Sequence, residues 1–484
     1  MLNRRTFMTG LGAGMALASG LSPTWARENR QTLAMPPLLD ATRSGRFELN
    51  AMAGSVNFLG GAESRTWGFS QPYLGPTLRL SSSGETHARV ENRLKEAISV
   101  HWHGLIIPGN VDGGPHQPVR PKETWEPVLP IAQAPTTLWY HSHIHGKTAE
   151  QVHHGLAGVL QLTDGKDDER GLPSDYGVDD LTLILQDRRF DSRGRTSYDP
   201  GMEDLMMGFA GDTMLINGQF APIAAVPKGI VRLRILNASN GRIYTLALSD
   251  GRDMHLAGTD SGLLDRPLPL PMITLAPAER IEILVDFSDG ADLSLVSGPN
   301  LNAGGMMGGM MGRRAAPETA FEILPFVVDS SLPARITSIP GDIGGSLAQV
   351  QDPVATTRRF TLEMPMGPRM MFGGTRRYSI SGAPFDMKTI NHGVRNNTVE
   401  RWVVSAHMLM HPFHIHGVTF QVLSENGGPP RAQNRGWKDT VLVNGQVELL
   451  VPFTQTAGKD YPFMYHCHIL EHEDGGMMGQ FTVT

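Results

Sequence analysis

Near its C-terminus the chain reads His466-Cys467-His468-Ile469-Leu470-Glu471-His472, and this stretch contains its only cysteine. His472 follows Cys467 by five residues, and Met477 follows it by ten. A thiolate, an imidazole and a thioether are parts of a His2Cys copper site with a weak axial methionine, the type that transfers electrons. One more imidazole is needed. His411, three residues before the pair His414-Ile415-His416, is predicted to supply it.

Histidines two residues apart recur far more often than chance allows. With 18 histidines in 484 residues, chance predicts roughly 0.7 His-x-His pairs, whereas the sequence holds five. Four lie in strand-like contexts, and the fifth, His143-Ile144-His145, overlaps one of them. The four are His101-Trp102-His103, His141-Ser142-His143, His414-Ile415-His416 and His466-Cys467-His468.

The spacing of these pairs predicts a metal cluster. Residues i and i+2 share one face of a strand, so each pair presents two imidazoles in one direction. Four such pairs suffice for a cluster of about three metal ions, and imidazoles beside a soft thiolate favour copper over zinc. Cys467 faces away from His466 and His468, so one tripeptide joins the cluster to the mononuclear site.

Short apolar runs separated by turn residues dominate the rest of the chain. Together with 55 glycines and 34 prolines they predict an all-β protein built from sandwiches or barrels. The expected order is a signal segment at 1–26, domains at 27–168 and 169–330, a linker at 331–353 and a third domain at 354–484. The pairs at 101–143 and 411–468 have to meet, so the cluster is expected between the first and third domains.

The first residues predict export. Arg4 and Arg5 precede a mild apolar stretch and then Thr24-Trp25-Ala26, a pattern typical of a twin-arginine signal peptide. A periplasmic protein that uses the twin-arginine export machinery is therefore expected. No later stretch is long and apolar enough to predict a membrane anchor. The net charge of −6 is not that of a nucleic-acid-binding protein.

Taken in order, the motifs resemble the four signatures of the multicopper oxidases. They are His-Trp-His-Gly at 101–104, His-x-His at 141–143, His-Pro-x-His-x-His-Gly at 411–417 and His-Cys-His-x3-His-x4-Met at 466–477. The resemblance covers the whole chain after the signal segment. It implies three cupredoxin-like domains, each a Greek-key β-sandwich, and four copper ions.

The resemblance also implies a role for each candidate ligand. Type 1 copper would be bound by His411, Cys467, His472 and Met477, and type 2 copper by His101 and His414. The type 3 pair would be bound by His103, His141, His143, His416, His466 and His468. The remaining histidines near these motifs fall outside the family's ligand positions and are predicted not to bind copper: His116, His145, His153 and His154.

The implied reaction couples one-electron oxidation of a reductant at type 1 copper to the four-electron reduction of O2 to water. Protons have to reach a buried cluster, and carboxylates can relay them. Asp112 and Glu473 match positions where the family keeps proton-relay acids. The ordinary alternatives are a turn-forming aspartate and a solvated glutamate.

The final part of the chain, including 436–440 and 472–478, resembles bacterial periplasmic cuprous oxidases of copper tolerance and, next to them, bacterial laccases. Thioethers suit Cu(I), so clustered methionines are candidate contacts for substrate copper. A departure is that His407 and Leu409 stand where those oxidases commonly have Asp and Met. The candidates are Met306, Met307, Met310, Met311, Met364, Met366, Met370 and Met371, with His407, Met408 and Met410 beside His411.

The expected function is therefore oxidation of Cu(I) in periplasmic copper detoxification, with O2 as the oxidant. A small-molecule reductant in place of Cu(I) would make the protein a laccase-like phenol oxidase, and Fe(II) would make it a ferroxidase. Two alternatives are not enzymes: a periplasmic copper-sequestering protein and a structural relative without a redox role. The complete ligand set argues against both.

Overall fold

A computed structural model describes residues 30–302, 320–364 and 378–484. The predicted signal segment at 1–26 lies outside the described residues. So do seven of the candidate methionines: Met306, Met307, Met310, Met311, Met366, Met370 and Met371. No helix in the three described ranges has the length and apolar character that crossing a bilayer requires.

The first group of strands forms two sheets packed on one core. One sheet has the order β1-β4-β9-β8, and the other has the order β3-β2-β5-β6 with β7 also paired to β5. The first six residues of β2 alternate between buried and more exposed positions, as one face meets the core and the other meets solvent. The strands are β1 Leu38–Asp40, β2 Arg46–Val56, β3 Ser64–Phe69, β4 Thr77–Ser81, β5 Ser83–Asn92, β6 Thr124–Trp125, β7 Val128–Ala132, β8 Thr136–His141 and β9 Ala157–Thr163.

The second group also forms two sheets, with the orders β12-β11-β10-β14-β19-β16-β17 and β13-β21-β20-β15-β18. Strands β10 and β14 are buried along their whole length because neighbouring domains cover the outer face of their sheet. The strands are β10 Asp180–Arg188, β11 Thr213–Ile216, β12 Gln219–Phe220, β13 Ala224–Val226, β14 Ile230–Asn237, β15 Tyr244–Leu248, β16 Met254–Thr259, β17 Gly262–Leu270, β18 Ile273–Leu275, β19 Arg280–Asp286, β20 Leu293–Ser297 and β21 Phe321–Val328.

The third group has the order β23-β22-β25-β28-β29-β24, and β27 joins β25 to β26. Its core includes Cys467 and Met477. The strands are β22 Val354–Glu363, β23 Ser379–Ile380, β24 His392–Val394, β25 Thr398–Ile415, β26 Gln421–Glu425, β27 Thr440–Phe453, β28 Phe463–Cys467 and β29 Met478–Val483.

Helices are few and short in the described ranges. They are α1 Thr148–His153, α2 Met202–Met207 and α3 Leu470–Asp474, with 3-10 turns at Gly109–Val111 and Ala432–Asn434. The three α-helices come from the three strand groups and contact one another, α3 lying against both α1 and α2. The predicted all-β class is confirmed. The domain boundaries drawn from the sequence stay a prediction.

Candidate metal centre

Four His-x-His pairs from the first and third strand groups meet in the interior. His101 exchanges backbone hydrogen bonds with His141, the last residue of β8, at N–O distances of 2.9 and 3.2 Å. His414 of β25 lies opposite His466 of β28 in the sheet register. The eight histidines of the four pairs are each 0–1% exposed. The fold thus gathers them into one buried cluster.

The inward-facing ring nitrogens approach one another closely. The Nε2 atoms of His101 and His414 are 3.4 Å apart. The Nε2 atom of His466 lies 3.2 Å from the Nε2 atoms of both His143 and His416. Two imidazole nitrogens that share one metal ion, each about 2 Å from it, lie roughly 3–4 Å apart. These two groups therefore have the spacing of shared metal ligands.

A third group consists of His103, His141 and His468, whose ligand atoms all lie within 4.8 Å of one another. Nδ1 of His103, Nε2 of His141 and both ring nitrogens of His468 are buried without a hydrogen-bond partner. Buried polar atoms in proteins are nearly always paired, and an ion is one of the accepted reasons for an exception. The donor atoms therefore fit a bound metal.

Backbone carbonyls fix the tautomer of several rings. The carbonyl oxygen of Asp112 lies 3.0 Å from Nδ1 of His101, and that of Cys467 lies 3.0 Å from Nδ1 of His466. A carbonyl can only accept, so Nδ1 carries the proton in each ring. The lone pair of Nε2 then faces the cluster, which is the arrangement that a metal ligand needs.

His103 and His414 are stacked, with ring centroids 3.7 Å apart and planes inclined by 15°. Nδ1 of His414 donates to the carbonyl oxygen of Asp439 at 2.8 Å. His103 uses its other nitrogen: Nε2 lies 3.2 Å from both Oδ1 of Asp439 and Oγ1 of Thr440. The two stacked rings therefore direct opposite nitrogens toward the cluster, Nδ1 from His103 and Nε2 from His414.

Burial keeps several of the cluster imidazoles neutral. It lowers the pKa of His103, His414 and His416 well below 6.5, and neighbouring imidazoles lower it further. Burial lowers the pKa of His143 to about 3, although Glu473 opposes this shift. Neutral rings at pH 7 have free lone pairs, so metal binding does not first require loss of a ring proton.

The predicted mononuclear site is assembled on the far side of Cys467. Nδ1 of His411 lies 3.4 Å from Sγ of Cys467, and Nδ1 of His472 lies 3.7 Å from it. The two Nδ1 atoms are 3.3 Å apart. Met477 is buried in the hydrophobic core that also contains Cys467. Its backbone is hydrogen-bonded to the backbones of Cys467 and His472, which brings the three residues together. Burial raises the pKa of the Cys467 thiol, so a bound metal would have to displace its proton.

Helix α2 and one tyrosine cover this mononuclear site. Nε2 of His472 donates to the carbonyl oxygen of Met206 at 2.9 Å. The ring of Tyr378 stacks on the His472 ring at 4.6 Å and 23°. His411, Cys467 and His472 are at most 1% exposed, so none of the three presents an edge to solvent.

The two predicted acids both contact cluster histidines. Oδ2 of Asp112 lies 2.7 Å from Nδ1 of His416. Oε2 of Glu473 lies 3.2 Å from Nδ1 of His466, and its Oε1 lies 3.5 Å from Nδ1 of His143. Both side chains are buried, so Glu473 is not a solvated glutamate, whereas Asp112 also ends the 3-10 turn Gly109–Val111. Their contacts orient the rings; a proton-relay role stays a prediction.

The candidate substrate-copper residues that the structure describes lie in different environments, some exposed to solvent and others packed against apolar residues. The register of β25 on β27 shifts between Ala406 and His411, so residues 407–410 bulge from the sheet. His407 and Met408 are exposed there. Met410 packs beside a small apolar cluster, and its backbone exchanges hydrogen bonds with Asn302. Met364 packs on the core of the third group.

The four histidines predicted not to bind metal have other partners. Nε2 of His116 lies 2.8 Å from Oε1 of Gln480. The other three pack against aromatic rings, and in the described chain none of the four belongs to a group of three converging ligand atoms. These three are His145 on Phe385, His153 on Tyr198 and Phe209, and His154 on Trp67.

Sequence reasoning missed one element of the centre. Arg280 of β19 is completely buried and pairs through both terminal nitrogens with the carboxylate of Asp439, the residue that contacts His103. The two residues are 159 positions apart. The only available signal was a charged residue, Asp439, directly before the apolar strand β27.

Comparison with known proteins places this geometry in a family. Two family profiles described as multicopper oxidase match residues 50–167 and 355–484. A solved structure, a bacterial laccase-like multicopper oxidase CueO from Ochrobactrum sp., is 39% identical, with a TM-score of 0.86. The match covers 93% of this chain and 100% of that one. The chain belongs to the multicopper oxidase family. Its sandwiches are cupredoxin-like, and membership implies copper binding.

Curated members of the family that match the whole chain carry a different description. A protein of Edwardsiella tarda named Cell division protein FtsP is 38% identical over 497 residues, covering 100% of this chain and 99% of its own. The protein of the same name in Escherichia coli K12 is 37% identical over 493 residues, with coverage of 100% and 99%.

These relatives contradict the function expected from the motifs. The prediction of a cuprous oxidase, and of an oxygen-dependent oxidoreductase in general, is wrong: the full-length curated relatives are named for cell division. The physical reason is that the motifs specify which side chains converge. Convergence of ligands does not by itself provide turnover, which also requires a reductant to reach the metal.

Proposed function

We propose that this chain supports cell division in the bacterial envelope and binds copper without turning over a substrate. The observation that carries the proposal is its identity of 38% and 37%, over essentially the whole chain, with proteins named Cell division protein FtsP. This similarity extends over the parts of the chain away from the copper motifs as well as over the motifs themselves.

For the copper, we propose four ions, as the family pattern implies. The type 1 ion would be held by His411, Cys467, His472 and Met477. The type 2 ion would be held by His101 and His414. The type 3 pair would be held by His103, His141, His143, His416, His466 and His468. Soft thiolate, thioether and imidazole donors select copper.

In this proposal the copper is structural. The cluster histidines come from two strand groups that lie far apart in sequence, so ions bound between them would stabilise the contact between the first and third groups. A ligand that binds only the folded state adds about 2.7 kcal/mol to stability when its concentration is 100 times its dissociation constant. Copper would then act as a clamp between domains.

The cover over the mononuclear site supports a role without turnover. The outer nitrogen of His472 is occupied by the Met206 carbonyl, and the Tyr378 ring lies over the imidazole. With no exposed ligand edge, a small reductant cannot contact the site directly.

The N-terminus supports placement in the envelope. Arg4 and Arg5 with the small residues around position 26 fit export by the twin-arginine route. We propose that residues 1–26 are removed and that the remainder acts in the periplasm.

The test is genetic. Deleting the gene in the organism that encodes the chain should lengthen cells at an unchanged growth rate, and the wild-type gene should restore their length. Cys467→Ser, which removes the thiolate from the mononuclear site, should restore length equally well. A joint Arg4→Lys and Arg5→Lys variant, which impairs export, should not. Normal cell length after deletion would refute the division role. Failure of Cys467→Ser at equal protein level would show that the division role depends on the mononuclear site.

A further inference from the structure

The middle strand group supplies none of the candidate type 1, type 2 or type 3 ligands, yet one of its side chains pairs with Asp439, which contacts the imidazole cluster. Arg280 at the start of β19 is 0% exposed. Its five N–H donors all have acceptors, which is the full capacity of a guanidinium group. They are Thr137 O at 3.2 Å, Ala278 O at 3.0 Å, Asp260 O at 2.8 Å, and the two carboxylate oxygens of Asp439 at 2.8 and 2.5 Å.

These acceptors belong to all three strand groups. Thr137 lies on β8 of the first group, Asp260 and Ala278 lie in the second, and Asp439 precedes β27 of the third. The forked pair with Asp439 fixes the plane of that carboxylate because two parallel N–H···O bonds define an orientation as well as a distance. Lys438 beside it forms separate ion pairs with Asp260 and Glu279, at 2.8 and 3.2 Å.

Asp439 contacts two candidate ligands, one through its oriented carboxylate and one through its backbone carbonyl. Asp439 contacts Nε2 of His103 through Oδ1 and Nδ1 of His414 through its carbonyl. Thr440 donates its hydroxyl to Oδ1 of Asp439 at 2.9 Å. A rotation of the Asp439 side chain would therefore release the His103 ring and loosen the stacked pair that His103 forms with His414.

The packing around the pair is tight on the side of the His101-Trp102-His103-Gly104 motif. Gly104 has a φ of +89°, and a Cβ added there would lie 2.5 Å from Oδ2 of Asp439 and 2.8 Å from Nη2 of Arg280. Because Gly104 has no side chain, the ion pair has room beside His103. This observation is independent of the hydrogen bonds.

We infer that Arg280 is a positioning residue for the copper cluster: acting through Asp439, it sets the orientation and tautomer of His103 and steadies His414. This inference rests on the copper-binding part of the proposed function. It gives the middle domain a part in the metal centre although that domain contributes no ligand. Groups that hold metal-bound histidines in place are worth about 10–100-fold in metal affinity.

Arg280→Lys tests the inference because lysine keeps the charge but cannot form the fork. Arg232→Lys is the matched control: Arg232 is also a buried arginine of the middle group, paired with Glu282, and contacts no cluster histidine. In copper-loaded protein, the ions at the histidine cluster, followed by electron paramagnetic resonance and copper content, should bind about 10–100-fold more weakly in Arg280→Lys. The blue colour of the Cys467 site should persist, and Arg232→Lys should retain both.

Asp439→Asn, which keeps the side-chain shape, is the second variant and decides the matter if Arg280→Lys does not fold. If Arg280→Lys, or Asp439→Asn in its place, binds copper at the histidine cluster as tightly as Arg232→Lys does, the inference is overturned. Parallel loss of cluster copper and blue colour, which marks general destabilisation, would also overturn it. Wild-type protein that binds no copper would refute both the inference and the copper part of the proposed function. Copper binding in wild type without a division phenotype would refute the division role alone.

Discussion

Glu282 on β19 provides a quantitative test of how buried charges in the second strand group stabilise the fold. Its buried carboxylate accepts hydrogen bonds from Arg232 Nε and Arg234 Nη1, both at 2.9 Å, and from Thr137 Oγ1 at 2.6 Å. Burial alone would raise the pKa of Glu282, but the two guanidinium groups outweigh it and lower the pKa from 4.5 to about 2. Glu282→Gln keeps the volume and removes the charge.

The expected loss follows from that shift. The difference of 4.5 − 2 = 2.5 pKa units corresponds to about 3.4 kcal/mol at about 1.36 kcal/mol per unit. Breaking a buried ion pair by removing one partner costs about 3–5 kcal/mol, which agrees. Because the folded-state pKa is lowered, the stabilisation is fully present above pH 4.5 and is lost as the pH falls toward 2. At pH 3 about 1.4 kcal/mol of it remains.

The assay is urea unfolding of copper-free protein, comparing wild type with Glu282→Gln at pH 7 and pH 3. The difference in the free energy of unfolding should be about 3 kcal/mol at pH 7 and fall by about 2 kcal/mol at pH 3. Glu126→Gln is the control, because Glu126 is 68% exposed in its pair with Arg89 and should cost less than about 1 kcal/mol. A difference that does not change with pH would refute the reasoning.

Three further predictions concern the metal centre. Burial raises the pKa of the Cys467 thiol. Iodoacetamide should therefore label the copper-free folded protein slowly at pH 7.5 and the urea-unfolded protein rapidly. Equal labelling rates would contradict burial of the thiol. Burial lowers the pKa of His472 to about 4, so unfolding takes up a proton between pH 6.5 and 4, and copper-free protein should lose stability as the pH falls through that window. His472→Gln should lose less across it, as urea midpoints would show. Asp112→Asn weakens the 2.7 Å contact to His416. Equilibrium dialysis should therefore find that copper at the histidine cluster binds about 10–100-fold more weakly, while the blue mononuclear site stays intact. An unchanged copper affinity would count against an orienting role for Asp112.

Local sequence patterns were sufficient to predict the fold class and which histidines lie on the same face of a strand. His101-Trp102-His103 and His466-Cys467-His468 were informative because alternation along a strand fixes which side chains share a face. The all-β class followed from the same short-range signals. The bulge at 407–410 did not, because it depends on how β25 and β27 pair.

Contacts between residues far apart in the sequence, and the function of the whole chain, could not be predicted from local patterns. Arg280 and Asp439 are 159 residues apart, and nothing in the sequence near either residue indicates the other. The cover that Met206 and Tyr378 place over His472 likewise depends on how domains pack. The predicted function was wrong for a related reason: ligand motifs identify a metal centre, whereas the proposed role in cell division rests on similarity along the full length to proteins of that name.

The most direct test of the account is O2 consumption by fully copper-loaded protein supplied with a chelated Cu(I) donor or a simple phenol. We expect uptake no faster than that of Cys467→Ser protein carrying the same amount of cluster copper. Saturable uptake with either donor that is abolished by Cys467→Ser would show turnover through the mononuclear site and contradict the central claim.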